Sequence, residues 1–366
     1  MDWNAASMLP GAWHTLRDDV SADVTWITKK LLRRMDQCVP AYVSQLREIS
    51  VLSTTTIPMA LLEANLRSLR RFQCEMPLEN WRFLLEHSVA LRSVDLYVHD
   101  DGENRHDVLI AKEAELGAFL HKIEDLCLGY GPHRDSKLCQ GFRRDYPDWC
   151  SRLRSFKCFW NAEACLALTE QAECLEEVRF CGAVPLPAPD MEIFLSFLQT
   201  RGPSLRTLHV PHVQRFYAPA VGEAISTYCR GLVHLAMHTY DAGMRLRDYM
   251  LPGEGANFVQ LKRLELRGGS DVNLIEEIGD FAVRCPSLRH LIVSLGVLPE
   301  CMWTDAPRVP GIQTLEWNCS DIPYHRLLRW FPHMTSLYLP RRDVREAQLF
   351  LKDEYPERNI QVLAAL

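Results

Sequence analysis

The sequence predicts an α/β solenoid, a fold built from many copies of one short strand-and-helix unit. Three observations predict it. The segment Arg201–Val210 recurs 83 residues later as Arg284–Val293, weaker copies divide that offset into steps of about 28 residues, and amphipathic stretches separate the copies. A single strand with two apolar residues cannot form a core, whereas a stack of such strands can.

The shared core of each copy is L-x-x-L-x-L, in which other apolar residues also occur. The fourth and sixth positions point to the same side of a strand and are expected to be buried, and the first is buried where the chain turns in. Arg71 makes the Leu66 copy degenerate, and the last copy, which ends on Ala365, is interpreted as a cap. Copies recur about every 26 residues and begin at Leu46, Leu66, Leu91, Ile123, Leu153, Leu175, Leu205, Leu232, Leu261, Leu288, Ile312, Met334 and Ile360.

Helices are predicted between the strands. Met191–Gln199 and Leu274–Val283 place apolar residues on one face with helical spacing. Two polar runs, Val98–Asp107 and Gly129–Tyr146, are expected to be surface loops, because charged and turn-forming residues dominate them. The spacing of the acidic residues in the first run does not match a calcium-binding loop.

The repeats resemble the leucine-rich repeat superfamily, in its ribonuclease-inhibitor-like, F-box-associated branch. The resemblance covers residues 46–366 as about 12–13 irregular repeats. It implies a horseshoe with a parallel strand ladder on the concave side and helices on the convex side. Residues 1–45 carry no clear copy and are predicted to form a helical cap around a helix at 23–36. Leu9-Pro10 opens like an F-box, but the residues that follow do not match its aliphatic spacing.

Composition excludes several classes of protein. The chain has 366 residues, 41 Lys+Arg and 47 Asp+Glu, a net charge of −6 and 47% apolar residues. This apolar share excludes a disordered chain, and the acidic balance argues against a general nucleic-acid or anionic-membrane binder. The sequence shows neither a long apolar window nor a secretory signal. We therefore expect an intracellular, reducing compartment, cytoplasm or nucleus, with an organelle as the alternative.

The 13 cysteines are expected to be reduced and mostly buried. None of them are spaced CxxC, the close pair that a tetrahedral zinc site usually shows. The cysteine pattern therefore predicts structural thiols, with a metal or redox role as the alternative.

The third, fifth and seventh positions of each copy point away from the core, so the concave face is the first candidate site. Lys157 and Arg179 occupy fifth positions, and Phe159 and Trp160 follow Lys157. Charge beside aromatic side chains is typical of interaction hot spots, so these four residues are the predicted anchors. The alternative is that the two aromatic side chains pack into the turn after their strand.

A second group on the same face is rich in histidine. It could respond to pH or, with converging imidazoles, bind a metal. A mixed polar surface without metal or cofactor is the simpler interpretation, and it makes this group part of the partner-binding surface. The partner-binding candidates are His209, His234, Arg263 and His290, with His212 and His238 nearby.

No motif of an enzyme is present: GxSxG, the phosphate-binding P-loop, HExxH and the dinucleotide-binding glycine pattern are all missing. We therefore expect a non-catalytic scaffold that binds a protein partner through its repeat surface. Two alternatives remain open: a substrate receptor of a ubiquitin ligase with a diverged N-terminal docking helix, and a structural subunit of a ribonucleoprotein or organellar assembly.

Overall fold

A computed structural model describes residues 15–17, 46–51, 57, 59–98, 106–129, 132–182, 185–239, 246, 258–268, 274–295, 309–319 and 324–365. The chain divides into two compact units, Met1–Leu175 and Glu176–Leu366. Both alternate parallel strands with helices.

Among its described residues, the first unit contains six strands, and each is hydrogen-bonded in parallel to the next in sequence. The strands are β1 Thr15–Arg17, β2 Glu48–Val51, β3 Arg71–Met76, β4 Ser93–Val98, β5 Asp125–Leu128 and β6 Ser155–Phe159. The helices are α1 Met59–Asn65, α2 Leu78–His87, α3 His106–Ala114, α4 Gly117–Leu120, α5 Pro132–Asp145 and α6 Ala162–Gln171, with a 3₁₀ turn at Pro147–Cys150.

The part of the second unit that the structure describes repeats the arrangement with eight strands, again parallel and paired in chain order. The strands are β7 Glu177–Cys181, β8 Thr207–His209, β9 His234–Thr239, β10 Arg263–Gly268, β11 His290–Leu295, β12 Thr314–Trp317, β13 Ser336–Leu339 and β14 Gln361–Ala364. The helices are α7 Ala188–Arg201, α8 Ala218–Tyr228, α9 Leu274–Arg284, α10 Tyr324–Trp330 and α11 Arg341–Glu354, with 3₁₀ turns at Gly202–Ser204 and Arg215–Tyr217.

The strand register confirms the α/β leucine-rich-repeat fold. Residues at the fourth position of successive copies pair with one another across the ladder and are almost completely buried. Burying each such leucine stabilises the fold by about 1.5–3 kcal/mol. In the second unit the leucines among them are Leu208, Leu235, Leu264, Leu291, Leu315 and Leu337.

The structure corrects the start of two copies. Phe72 pairs with Val94 and Cys74 with Leu96, so the copy assigned to Leu66 begins at Leu69 and is not degenerate. In the last copy, Val362 pairs with Leu337 and is buried, which moves its start from Ile360 to 359. Since side chains alternate along a strand, that shift of one residue turns Leu363 to the opposite face.

The segment Gly129–Tyr146 was expected to be a loop, and this prediction is wrong. Pro132–Asp145 forms α5, in which Leu138, Cys139 and Phe142 are buried. These residues and the buried Asp135 one turn earlier have helical spacing. The many charged residues on the exposed side of the helix made the segment look like a loop in the sequence. The carboxylate of Asp135 accepts a hydrogen bond of 2.9 Å from the backbone N–H of Phe159, which attaches α5 to the end of β6.

The two helices predicted from amphipathic spacing are confirmed as parts of α7 and α9. Phe194, Phe197 and Leu198 are buried in α7, and Ile278 and Phe281 are buried in α9. The helix predicted at 23–36 and most of the polar run that follows Val98 lie outside the described residues. Within the predicted cap, the described residues are β1, which pairs with β2.

Most of the described cysteines are buried, as the sequence predicted. Burial raises the pKa of Cys74 and of Cys229 to about 12. These thiols are protonated at neutral pH and pack as small apolar groups. None of the helices in the described ranges is both long and apolar enough to cross a membrane.

Candidate functional site

The polar strand face of the second unit is formed by the third and fifth positions of the repeats in β7–β13, which pair in register from strand to strand. Because side chains alternate along a strand, these positions lie opposite the apolar core. The third positions are Glu177, Thr207, His234, Arg263, His290, Thr314 and Ser336. The fifth positions are Arg179, His209, Ala236, Glu265, Ile292, Glu316 and Tyr338.

Three of the four predicted anchors belong to the first unit. Lys157 is exposed on β6, while Phe159 and Trp160 are half-buried at the end of that strand. The aromatic side chains are therefore neither fully packed into the turn nor fully presented to solvent. On the same ladder, burial raises the pKa of Asp95, and the charge of Lys157 opposes that shift.

The fourth anchor, Arg179, lies on β7 in the second unit. Its guanidinium Nε contacts a carboxylate oxygen of Glu177, two residues earlier on the same strand. Arg267 contacts Glu265 in the same manner on β10. Both arginines are thus matched by a carboxylate on their own strand, which lowers the net positive charge of this face.

Two histidines and a glutamate converge on the polar strand face. Ala236 pairs with His209 on one side and with Glu265 on the other, so the small alanine lies between the two larger side chains. The rings of His209 and His234 meet edge to face at 5.1 Å. Nε2 of His234 lies 3.5 Å from Oε2 of Glu265, and one ligand atom from each of the three residues lies within 4.8 Å of the others.

Burial determines the protonation state of this cluster. His209 is 5% exposed, and burial, assisted by the charge of Arg179, lowers the pKa of His209 to about 3. Burial alone would raise the pKa of Glu265, but contact with His234 and the charge of Arg267 outweigh it and lower that pKa to about 2. At neutral pH, the cluster therefore contains a neutral imidazole at His209 and an ionised carboxylate at Glu265.

Arg263 and His290 form a second group on the neighbouring strands. They pair directly between β10 and β11, and both are half-buried. Within the described part of the chain, Nε of Arg263 and Nε2 of His290 have no hydrogen-bond partner, although both atoms are inaccessible to solvent. Burial and the charge of Arg263 lower the pKa of His290 to about 4, so its imidazole is neutral at physiological pH.

The structure thus brings together His209 and His234, and pairs Arg263 with His290. Glu265 was not among the predicted site residues. The sequence contains a signal that could have identified it. Glu265 occupies the fifth position two repeats after His209, and the repeat between them has a small alanine at that position. His212 is buried just beyond β8, and the side chain of His238 lies outside the described part of the structure.

Comparison with known proteins leaves the family unassigned. No protein-family model matches the chain, and no curated protein matches it. A chain in a solved structure described as "Crystal structure of Rad7 and Elc1 complex in yeast" is similar to it with a TM-score of 0.47. The two are 13% identical, and the match covers 87% of this chain and 83% of that chain. The fold assignment therefore depends on the strand register and the buried repeat positions.

Proposed function

We propose that this chain is a non-catalytic protein-interaction scaffold of the ribonuclease-inhibitor-like, F-box-associated leucine-rich-repeat type. Its main contact with the partner is made through the polar strand face of the second unit. The observation that supports this proposal is the pair Arg263 and His290, whose buried nitrogen atoms have no hydrogen-bond partner within the described residues. A buried polar atom left without a partner costs about 1–3 kcal/mol.

The two side chains define the chemistry of the partner. The guanidinium of Arg263 donates hydrogen bonds, and the neutral imidazole of His290 can donate or accept. Both side chains are half-buried, so a small shift of either one would bring these nitrogen atoms within reach of a protein segment that presents carboxylate or backbone carbonyl oxygens. Lys157, Phe159, Trp160 and Arg179 are proposed as further anchors, since aromatic and arginine side chains carry much of the energy in protein interfaces.

Two narrower roles are compatible with this scaffold: a substrate receptor of a ubiquitin ligase, and a structural subunit of a large assembly. Purification of the tagged chain from its native cells, followed by a sizing gradient, separates them. Recovery of a ligase scaffold favours the first role, and co-migration with a large particle favours the second. A defined smaller set of proteins supports a scaffold outside both, whereas a chain that migrates alone contradicts the proposal.

The residues that carry binding are tested on the captured partner. Combining Arg263→Ala with His290→Ala is expected to weaken the affinity at least tenfold, about 1.4 kcal/mol, because two hydrogen-bonding groups of the face are removed. The matched control combines Arg206→Ala with His333→Ala, two exposed residues outside the polar strand face of the same unit. Titration calorimetry with the purified partner measures both.

Equal affinities of the two double variants would refute a contact at Arg263 and His290. The anchors are tested in the same titration with Trp160→Ala combined with Arg179→Ala. Unchanged affinity in that variant would remove the anchors from the binding surface.

A further inference from the structure

His209, His234 and Glu265 bring three potential metal-binding groups together on the polar strand face. These three side chains come from three successive strands and meet above the small Ala236. His209 and Glu265 are two strand spacings apart, about 10 Å, yet their ligand atoms approach to within 4.8 Å. A bulkier residue at 236 would occupy the space into which both side chains lean.

We infer that His209, His234 and Glu265 form a binding site for a divalent transition-metal ion, and that zinc is the ion that fits them. Two imidazoles and one carboxylate form a common three-ligand set for zinc. This inference does not depend on the proposed partner, since the site is complete within the second unit.

One distance in the cluster already matches such a site, and the third ligand atom lies within reach of it. Ligands bound to tetrahedral zinc at about 2.0–2.1 Å lie about 3.4 Å from one another. Nε2 of His234 and Oε2 of Glu265 are already 3.5 Å apart. The third ligand atom, on His209, needs to approach by no more than about 1.4 Å, which a small side-chain rotation supplies.

One buried nitrogen atom of the cluster lacks a hydrogen-bond partner among the described residues. Nε2 of His209 is inaccessible to solvent and has no hydrogen-bond partner among the described residues. A metal ion would satisfy its lone pair, because a neutral imidazole coordinates through the unprotonated nitrogen.

Neighbouring charges orient the carboxylate. Arg267 contacts Oε1 of Glu265, which leaves Oε2 directed at His234. Hydrogen bonds of this kind fix the orientation of a metal-binding carboxylate. Arg267 is therefore a positioning residue, and its charge is matched by Glu265. Three protein ligands leave the fourth position of the metal open to water or to another donor.

The test uses the untagged, chelator-treated full chain in a Cys174→Ser background, which removes an exposed thiol that could bind zinc. After addition of zinc and removal of unbound ion, elemental analysis is expected to find one zinc retained per chain. Titration against a competing chelator is expected to show affinity at least about 100-fold lower in Glu265→Gln and in His209→Gln. Tetrahedral visible absorption of the cobalt-substituted protein is the spectroscopic signature.

His333→Gln is the matched control, because this exposed histidine of the same unit lies outside the polar strand face. It is expected to bind zinc like the parent chain. Circular dichroism shows whether each variant is folded, and His234→Gln, at a side chain that is 12% exposed, repeats the test if His209→Gln unfolds. A parent chain that retains no more zinc than Glu265→Gln, or an equal loss in His333→Gln, would overturn the inference. The zinc measurement and the titration with the partner are separate tests. A chain that fails to bind zinc therefore leaves the proposed contact at Arg263 and His290 standing.

Discussion

Replacing Trp81 by alanine is expected to lower the free energy of unfolding of the first unit by about 3–5 kcal/mol. The Trp81 side chain is completely buried, and its indole ring packs edge to face against Phe72 at 5.3 Å. Its Nε1 donates a hydrogen bond of 2.7 Å to the carbonyl oxygen of Tyr97. The alanine variant therefore leaves a large cavity together with a carbonyl that has lost its donor.

Urea unfolding of the parent chain and of two further variants separates these causes. Trp81→Phe keeps most of the ring and removes the donor, so it is expected to cost about 1–3 kcal/mol. Val89→Ala, at a side chain in the same unit that is 69% exposed, is expected to change stability by less than about 0.5 kcal/mol. If Trp81→Ala lowered the free energy of unfolding no more than Val89→Ala does, Trp81 would not pack between α2 and β3 as described.

Acidification is expected to destabilise the second unit, starting below about pH 6.5. The unfolded chain binds a proton at His209 with an ordinary histidine pKa near 6.5, whereas the folded chain does so only near pH 3. The folded-state pKa is depressed, so the stabilisation is fully present above pH 6.5 and is lost as the pH falls towards 3. At pH 4.5 the loss from His209 is up to about 3 kcal/mol.

The measurement is urea unfolding of chelator-treated protein at several pH values between 7.5 and 4.5, so that metal binding does not enter. His209→Gln has no group that titrates at this position, and its stability should fall less steeply with decreasing pH. His333→Gln, at an exposed histidine of the same unit, should follow the parent chain. Parallel curves for the parent chain and His209→Gln would show that the imidazole is not buried in its neutral form.

Most of the fold was predictable, because the same spacing of core residues recurs in every copy of the repeat. Leu264 and Leu266 lie in a copy whose neighbours have the same spacing, so errors in single copies do not change the fold class. The errors occurred where that support was weak. At the last copy, Leu363 looked like a core residue, but the pairing of Val362 with Leu337 places it on the other face.

The candidate site was only partly predictable. Strand alternation placed His209, His234, Arg263 and His290 on one face, and the strand register pairs Arg263 with His234 on one side and with His290 on the other. Alternation could not show that Glu265 would reach across Ala236 to the histidines, because side-chain direction within a face depends on packing. Nor could it show which polar atoms lack partners, since hydrogen bonding requires coordinates.

Photo-cross-linking to the captured partner tests most directly whether the partner binds at the polar strand face. A photo-reactive amino acid placed at Thr314, which pairs with His290 on the polar strand face, is compared with one at Glu192, exposed on α7. A covalent product with the partner is expected from position 314 and none from position 192. Cross-linking from position 192 alone would contradict binding through the polar strand face.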